Sequence, residues 1–222
     1  MWGEQPSEGQ SRGGEPQGGV TARSRTETPK YKVEKSTADF EVRRYESRLV
    51  AEVRVSGDPR QASGNGFRVL AGYIFGNNVP AEEIAMTSPV ERRPAGEGEE
   101  IAMTSPVEQR PAARGDGDPE ADLATSKSWW VTFTMPSKWD EKSLPKPKDD
   151  RIRIVRIPVQ RVAVVTFSGN PSAPKVEQRK DALLAAVRKA GLEPDGVPTY
   201  ARYDPPWTPA FMRRNEIMLR LK

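Results

Sequence analysis

Neither histidine nor cysteine occurs among the 222 residues, and those two absences remove much of the chemistry a chain of this size could perform. Ser–His and Cys–His nucleophiles, histidine bases, thiolate redox pairs and the usual zinc ligands are all excluded. Asp149–Asp150 and Glu82–Glu83 are adjacent acids, but neighbours on a strand point to opposite faces and a loop pair is simply solvated. Neither pair reads as acid–base machinery or a metal site. Met86, Met103 and Met135 carry thioethers that could ligate a metal, yet strand alternation makes them core residues first. The residues most suggestive of binding are Trp207, Phe211 and Met212 in PPWTPAFMRR, beside Arg213 and Arg214. Large apolar groups among prolines and cations are candidates for an exposed binding loop, although Trp207 could equally cap the end of a sheet. This inventory suits a binding protein and not an enzyme.

Strands and helices must position these groups, and hydrophobic periodicity locates most of them. DFEVRRY (39–45), RLVAEVRVSG (48–57), WWVTFTMP (129–136), RIRIVRI (151–157), RVAVVTFSG (161–169), PTYARYD (198–204) and NEIMLRLK (215–222) alternate as half-buried strands do. GFRVLAGYIFG places Phe67, Leu70, Ala71, Ile74 and Phe75 at helical spacing; Gly64, Gly66 and Gly72 weaken that helix, and Gly76 is a natural stop. APKVEQRKDALLAAVRKAG is a helix burying Val176, Leu183, Leu184 and Val187, stopped by Gly191.

LVAEVRVSGDP (49–59) also lies over RVAVVTFSGNP (161–171), each ending where Asp or Asn can cap the coming helix. The chain therefore reads as two β-β-α-β-β units. The predicted fold class is α+β, the two units forming a distorted antiparallel β-barrel flanked by two helices. A second, local repeat sets EEIAMTSPVERRPAGEG (82–98) before EEIAMTSPVEQRPA (99–112), a period of 17. The two copies could form a hairpin, or one could join the sheet while the other is extruded.

Residues 1–29 are rich in Gly, Pro, Ser, Glu and Gln and read as a disordered tail ahead of one domain, 30–222. An acidic loop at about 92–128 is expected to be mobile outside the second copy of the repeat. Residues 91–122 carry four positive and nine negative side chains, whereas the chain as a whole is net +4. A basic body with one acidic loop suits an anionic ligand, although an ordinary solvated surface looks the same. No basic block or basic helix supports nucleic-acid binding. No secretory signal is evident at MWGEQPSEGQ and no stretch is long enough to span a bilayer, so a cytoplasmic monomer is expected.

YIFGNN, IAMTSPV, VTFTMPSKW with LPKPKDD, and ARYDPPWTPAFMRRNEIML resemble the SOUL/haem-binding protein family in content and order, from about Tyr31 to Lys222. The resemblance implies the duplicated barrel and a non-covalently held haem or related tetrapyrrole, as buffer or carrier. One branch of that family places a histidine iron ligand where Arg44 stands here, so an imidazole–iron bond is excluded. Arg44 would instead meet a propionate, or pair with a local carboxylate at the barrel edge. The other branch holds the ring by apolar contacts. Carried over, its site residues are Phe67, Leu70, Ala71 and Ile74 on the first helix, Trp207, Phe211 and Met212 before the last strand, and Arg68, Arg213 and Arg214 as propionate partners. An apolar stripe at this spacing more often faces the core. The duplicated unit also resembles gyrase-inhibitor-like effector-binding domains, which would make the chain a small-molecule sensor. That alternative needs a buried carboxylate to meet a cation, and none is evident on an apolar strand face. A third reading is a protein–protein adaptor working through the acidic loop.

Overall fold

Alternating sequences become strands because each can bury one side against a helix. In the computed structural model, which describes residues 26–80, 98–112 and 118–222, the strands are β1 (Tyr31–Ser36), β2 (Glu41–Tyr45), β3 (Arg48–Ser56), β4 (Asn78–Val79), β5 (Val107–Pro111), β6 (Ser128–Thr134), β7 (Lys146–Pro147), β8 (Ile152–Ile157), β9 (Gln160–Ser168), β10 (Thr199–Arg202) and β11 (Arg214–Leu221). The helices are α1 (Pro59–Ile74) and α2 (Ala173–Lys189). Nine strands form one antiparallel sheet in the order β1-β2-β9-β11-β10-β5-β6-β3-β8, while β4 and β7 pair separately. The α+β architecture expected from the repeat is present: β2-β3-α1-β5-β6 is followed by β8-β9-α2-β10-β11. The sheet curls into a half-barrel with β1 and β8 at its ends.

One face of the sheet carries both helices. Under α2 lie Phe40, Val42, Ala163, Phe167, Ile217 and Leu219; under α1 lie Ala51, Val53, Val131 and Phe133. The stripe Val176, Leu183, Leu184 and Val187 of α2 is buried as its spacing implies, and Lys180 is buried with it. The first helix departs from expectation in two ways. It begins seven residues before the GFRVLAGYIFG string, at Pro59, because Asp58 caps it: the Asp58 carboxylate accepts from the N–H groups of Arg60 and Gln61, both at 2.9 Å. Its buried face is Ala62, Ser63, Gly66, Leu70, Tyr73 and Ile74, so Phe67 and Phe75 turn outward. Gly66 lets the helix lie directly on Val131, where a Cβ would overlap that side chain. Gly76, with φ +105°, ends the helix as expected. Asn170 does not cap α2; Ser172 occupies that position and makes no side-chain cap bond.

The downstream copy of the local repeat joins the sheet. Ile101 enters the core beneath α1 and the Thr104 hydroxyl donates to the Thr134 carbonyl. Pairing with β6 and β10 begins only at Val107, and Met103 stays exposed. The upstream copy lies outside the described residues. Within the acidic stretch, Ala121 and Leu123 are buried, and the Leu123 N–H donates to Glu177 of α2 at 2.7 Å. Among the described residues no helix is long and apolar enough to cross a membrane.

Candidate functional site

Register sets α1 and the loop before β11 over strands separated only by β5. Phe67 meets Phe133 edge-on, ring centroids 5.5 Å apart. Phe133 on β6 opposes Val107 on β5, and Val107 opposes Arg202, the last residue of β10. Arg202 runs directly into the Tyr203–Arg213 loop. On that loop Trp207 is 82% exposed, Phe211 77% and Met212 49%. Arg213 fastens the loop by donating to the carbonyls of Thr208 (2.8 Å) and Pro206 (2.5 Å), and Asp204 accepts from the Arg214 N–H at 2.6 Å. The apolar groups are thus presented on a bonded turn.

Of the helix residues read from the sequence, Phe67 is partly exposed, Ala71 half-buried and Arg68 exposed; Leu70 and Ile74 are sealed in the core. Arg68 reaches only Asn65 and the Gly64 carbonyl of its own helix. Arg213 is spent on the turn, and Arg214 is directed to Glu216 at 2.6 Å. Arg44 stands apart from this group, beside Arg161 on β9, and Glu34 pairs with both arginines. Those contacts match the carboxylate-paired alternative for Arg44. The cation that sequence reading passed over is Arg202. It lies on the helix-bearing face with Gln109 as its hydrogen-bond partner, at 3.5 Å, and no salt bridge to a carboxylate among the described residues. Burial holds its guanidinium below the usual arginine range, against the opposing pull of Tyr200.

The opposite face of the sheet carries two buried carboxylates, one from each repeat. Glu216 on β11 accepts from Arg43 (3.0 Å), Arg214 (2.6 Å), Thr166 (3.1 Å) and Tyr203 (2.6 Å). Burial alone would raise this carboxyl, but the Tyr203 hydroxyl and the two guanidinium groups outweigh it and hold Glu216 below the ordinary carboxylate range. Burial pushes the neighbouring Tyr45 hydroxyl up to about 12. Glu52 on β3 is likewise clasped by Arg110 (3.0 Å) and Arg153 (2.6 Å). The buried carboxylate that a cation sensor requires therefore exists twice, and each time two arginines already neutralise it.

A cavity of about 200 Å³ opens between Glu27–Lys30 and the ends of β3 and β6, lined by Arg48, Thr134 and Trp139 among others. Of the candidate ligand residues read from the sequence, Met135 lines it. It is smaller than the roughly 300–1,000 Å³ usual for enclosed small-molecule sites. Among the described residues no cluster of acidic side chains could hold a metal ion.

A family model described as SOUL heme-binding protein matches residues 26–220. Among solved structures, the C-terminal domain of EcmrR superposes with a TM-score of 0.57 at 11% identity, covering 86% of this chain and 98% of that one. EcmrR in a DNA complex gives 0.55 at 10% identity, covering 82% of this chain and 57% of that one. A structure described as a hydrolase from Listeria innocua gives 0.50 at 12% identity, covering 85% and 94%. At such identities the likeness is one of fold. No curated protein matches the sequence.

Proposed function

Because the chain belongs to the SOUL haem-binding protein family, we propose that it is a non-enzymatic haem or tetrapyrrole carrier that lays the macrocycle across the open surface between Phe67 and the Trp207–Met212 turn. The observation that carries this reading is the joint exposure of Trp207, Phe211 and Met212 on a turn fastened by Arg213. Such groups cost free energy in water and mark a surface meant to be covered. From Phe133 to Arg202 is two strand spacings, about 10 Å, a span suited to a flat ring lying over Val107 with an aromatic edge at each side. Arg202, with no salt bridge to a carboxylate, and Arg68, held only within its own helix, are the propionate partners in this arrangement. Arg44 is outside it. With no histidine in the chain, apolar contact replaces axial imidazole ligation, and the small polar cavity is not required. The sensor alternative gains no support, since a cationic ligand would have to displace a pair of arginines from Glu216 or Glu52.

Hemin and metal-free protoporphyrin titrated in parallel test the proposal. Saturable binding with near-equal affinities is expected, with a shifted Soret band for hemin and quenching of indole fluorescence for both. Trp207→Ala combined with Phe211→Ala should weaken both ligands at least tenfold, corresponding to about 1.4 kcal/mol or more, while Arg44→Ala leaves both titrations unchanged. Free-hemin spectra throughout, or wild-type affinity in the double variant, would overturn it.

A further inference from the structure

The local repeat offers the fold two segments for one place. Residues 82–95, EEIAMTSPVERRPA, and 99–112, EEIAMTSPVEQRPA, agree at 13 of 14 positions, and the place is filled by 99–112. We propose that Gly98 and Gln109 are the residues that select the downstream copy, and that without them the sheet would accept either segment as β5. The proposal stands independently of any ligand.

The contacts that seat the segment are mostly blind to which copy makes them. The Glu99 N–H donates to Asn78 Oδ1 (2.8 Å), and Asn78 Nδ2 donates to the Glu99 carbonyl (2.7 Å). The Ile101 N–H donates to the Ile74 carbonyl at 2.8 Å and its side chain is fully buried. Thr104 and Val107 complete the anchor through Thr134, β6 and β10. At a period of 17 the upstream copy supplies the same residue type at each of these positions: Glu82, Ile84, Thr87 and Val90.

Two positions differ, and both favour the downstream copy. The residue before the segment is Gly98 in one case and Ala81 in the other. A Cβ at Gly98 would lie far inside van der Waals contact distance of the Gly76 carbonyl oxygen, a backbone atom that cannot swing aside. Within the segment, Gln109 aligns with Arg92. Gln109 is buried; its Nε2 donates to the Pro59 carbonyl at 2.9 Å and its Oε1 accepts from Arg202 at 3.5 Å. Arginine carries donors only, so at this position it would remove the acceptor that Arg202 uses and set a second guanidinium against it away from water. One mismatch is steric and the other electrostatic.

The absence of cysteine makes disulfide trapping a direct test. Glu108 on β5 stands opposite Thr132 on β6. In the native background, Thr132→Cys should cross-link with Glu108→Cys at least tenfold more than with Glu91→Cys. Adding Ala81→Gly and Arg92→Gln, which alters none of the contacts described, should bring the two cross-links to comparable yield. Further adding Gly98→Ala and Gln109→Arg should shift the balance to the position-91 pair. Equal yields in the native background, or cross-linking through position 108 alone once Ala81 and Arg92 are replaced, would overturn the assignment.

Discussion

The two repeats share an element order yet treat their helices differently. The second closes its helix: every apolar residue of the α2 stripe is buried, and the 118–127 stretch lies against it through Leu123, with Glu120 paired to Arg188 at 2.6 Å. Even Lys180 is covered, balanced by Glu177 (2.6 Å) and Asp181 (3.1 Å). The first leaves its helix half dressed. Phe67 and Phe75 face outward, and at Gly64 and Gly72 a side chain would meet nothing within 4 Å. Duplication thus supplied one scaffold twice, and a few small or outward-turned residues left the first helix with an open outer face. The buried carboxylates differ in the same spirit. The arginines on Glu216 have side chains 4% and 41% exposed, those on Glu52 26% and 56%.

The largest effect should come from breaking the tighter cluster. Glu216→Gln leaves the buried Arg43 with only the more exposed Glu41 (2.7 Å) as counter-charge and should cost about 3–5 kcal/mol in urea unfolding, whereas Glu52→Gln, with wetter arginines, should cost about 1–3 kcal/mol. The sign of the pH dependence follows from the lowered Glu216 carboxyl. Its contribution is complete above the ordinary value of 4.5 and is lost as pH falls through the depressed folded-state value. Wild-type stability should fall with acid across that window, and Glu216→Gln should flatten the fall; equal pH profiles would remove this cluster from the account.

Next, Leu184→Ala on the closed helix should cost about 2–5 kcal/mol with porphyrin binding intact in the folded fraction. Phe67→Ala on the open helix should cost only about 1–2 kcal/mol while loosening porphyrin. If the two variants changed places in a binding titration, the contrast between the helices would fail. The smallest effects concern glycine. Gly64→Ala and Gly72→Ala should each raise stability by up to about 1 kcal/mol through helix propensity, whereas Gly66→Ala should lower it by about 1–3 kcal/mol by forcing α1 off Val131. Thermal melts of the three single variants decide this.

Most of the architecture was legible because alternation and the Val-Ala-Val-Ser-Gly-Pro recurrence are local signals. The second helix was legible down to its buried residues. The first helix was harder: three glycines mask its periodicity, and its true start is announced only by Asp58 followed by Pro59. Leu70 and Ile74 are ligand candidates only through the family resemblance, and the helix's packing on β3 and β6 puts both in the core. The charged clusters were invisible for a different reason. Arg43 and Glu216 meet across 173 residues, and no local pattern says that a charge will be buried because a distant one neutralises it. The strand FEVRRY held a partial hint, since Phe40 and Val42 on one face put Arg43 and Tyr45 together on the other. Lys180, four residues after Val176, was a similar hint within α2. Arg202 carries no local signal of its placement, which only register reveals: opposite Val107 at the edge of the exposed turn.

A curled sheet that does not close leaves two rims where a stray chain could add itself strand by strand. Here the outermost strand on one side, β1, is exposed at all six positions, carries Lys32, Glu34 and Lys35, and is irregular between Val33 and Lys35. On the other side β8 interleaves Arg153 and Arg156 with its apolar residues. Charge and kink at the margins discourage fibrous self-addition. On the proposed reading, a carrier that must keep greasy rings in solution without itself clotting gains most from such guarded borders.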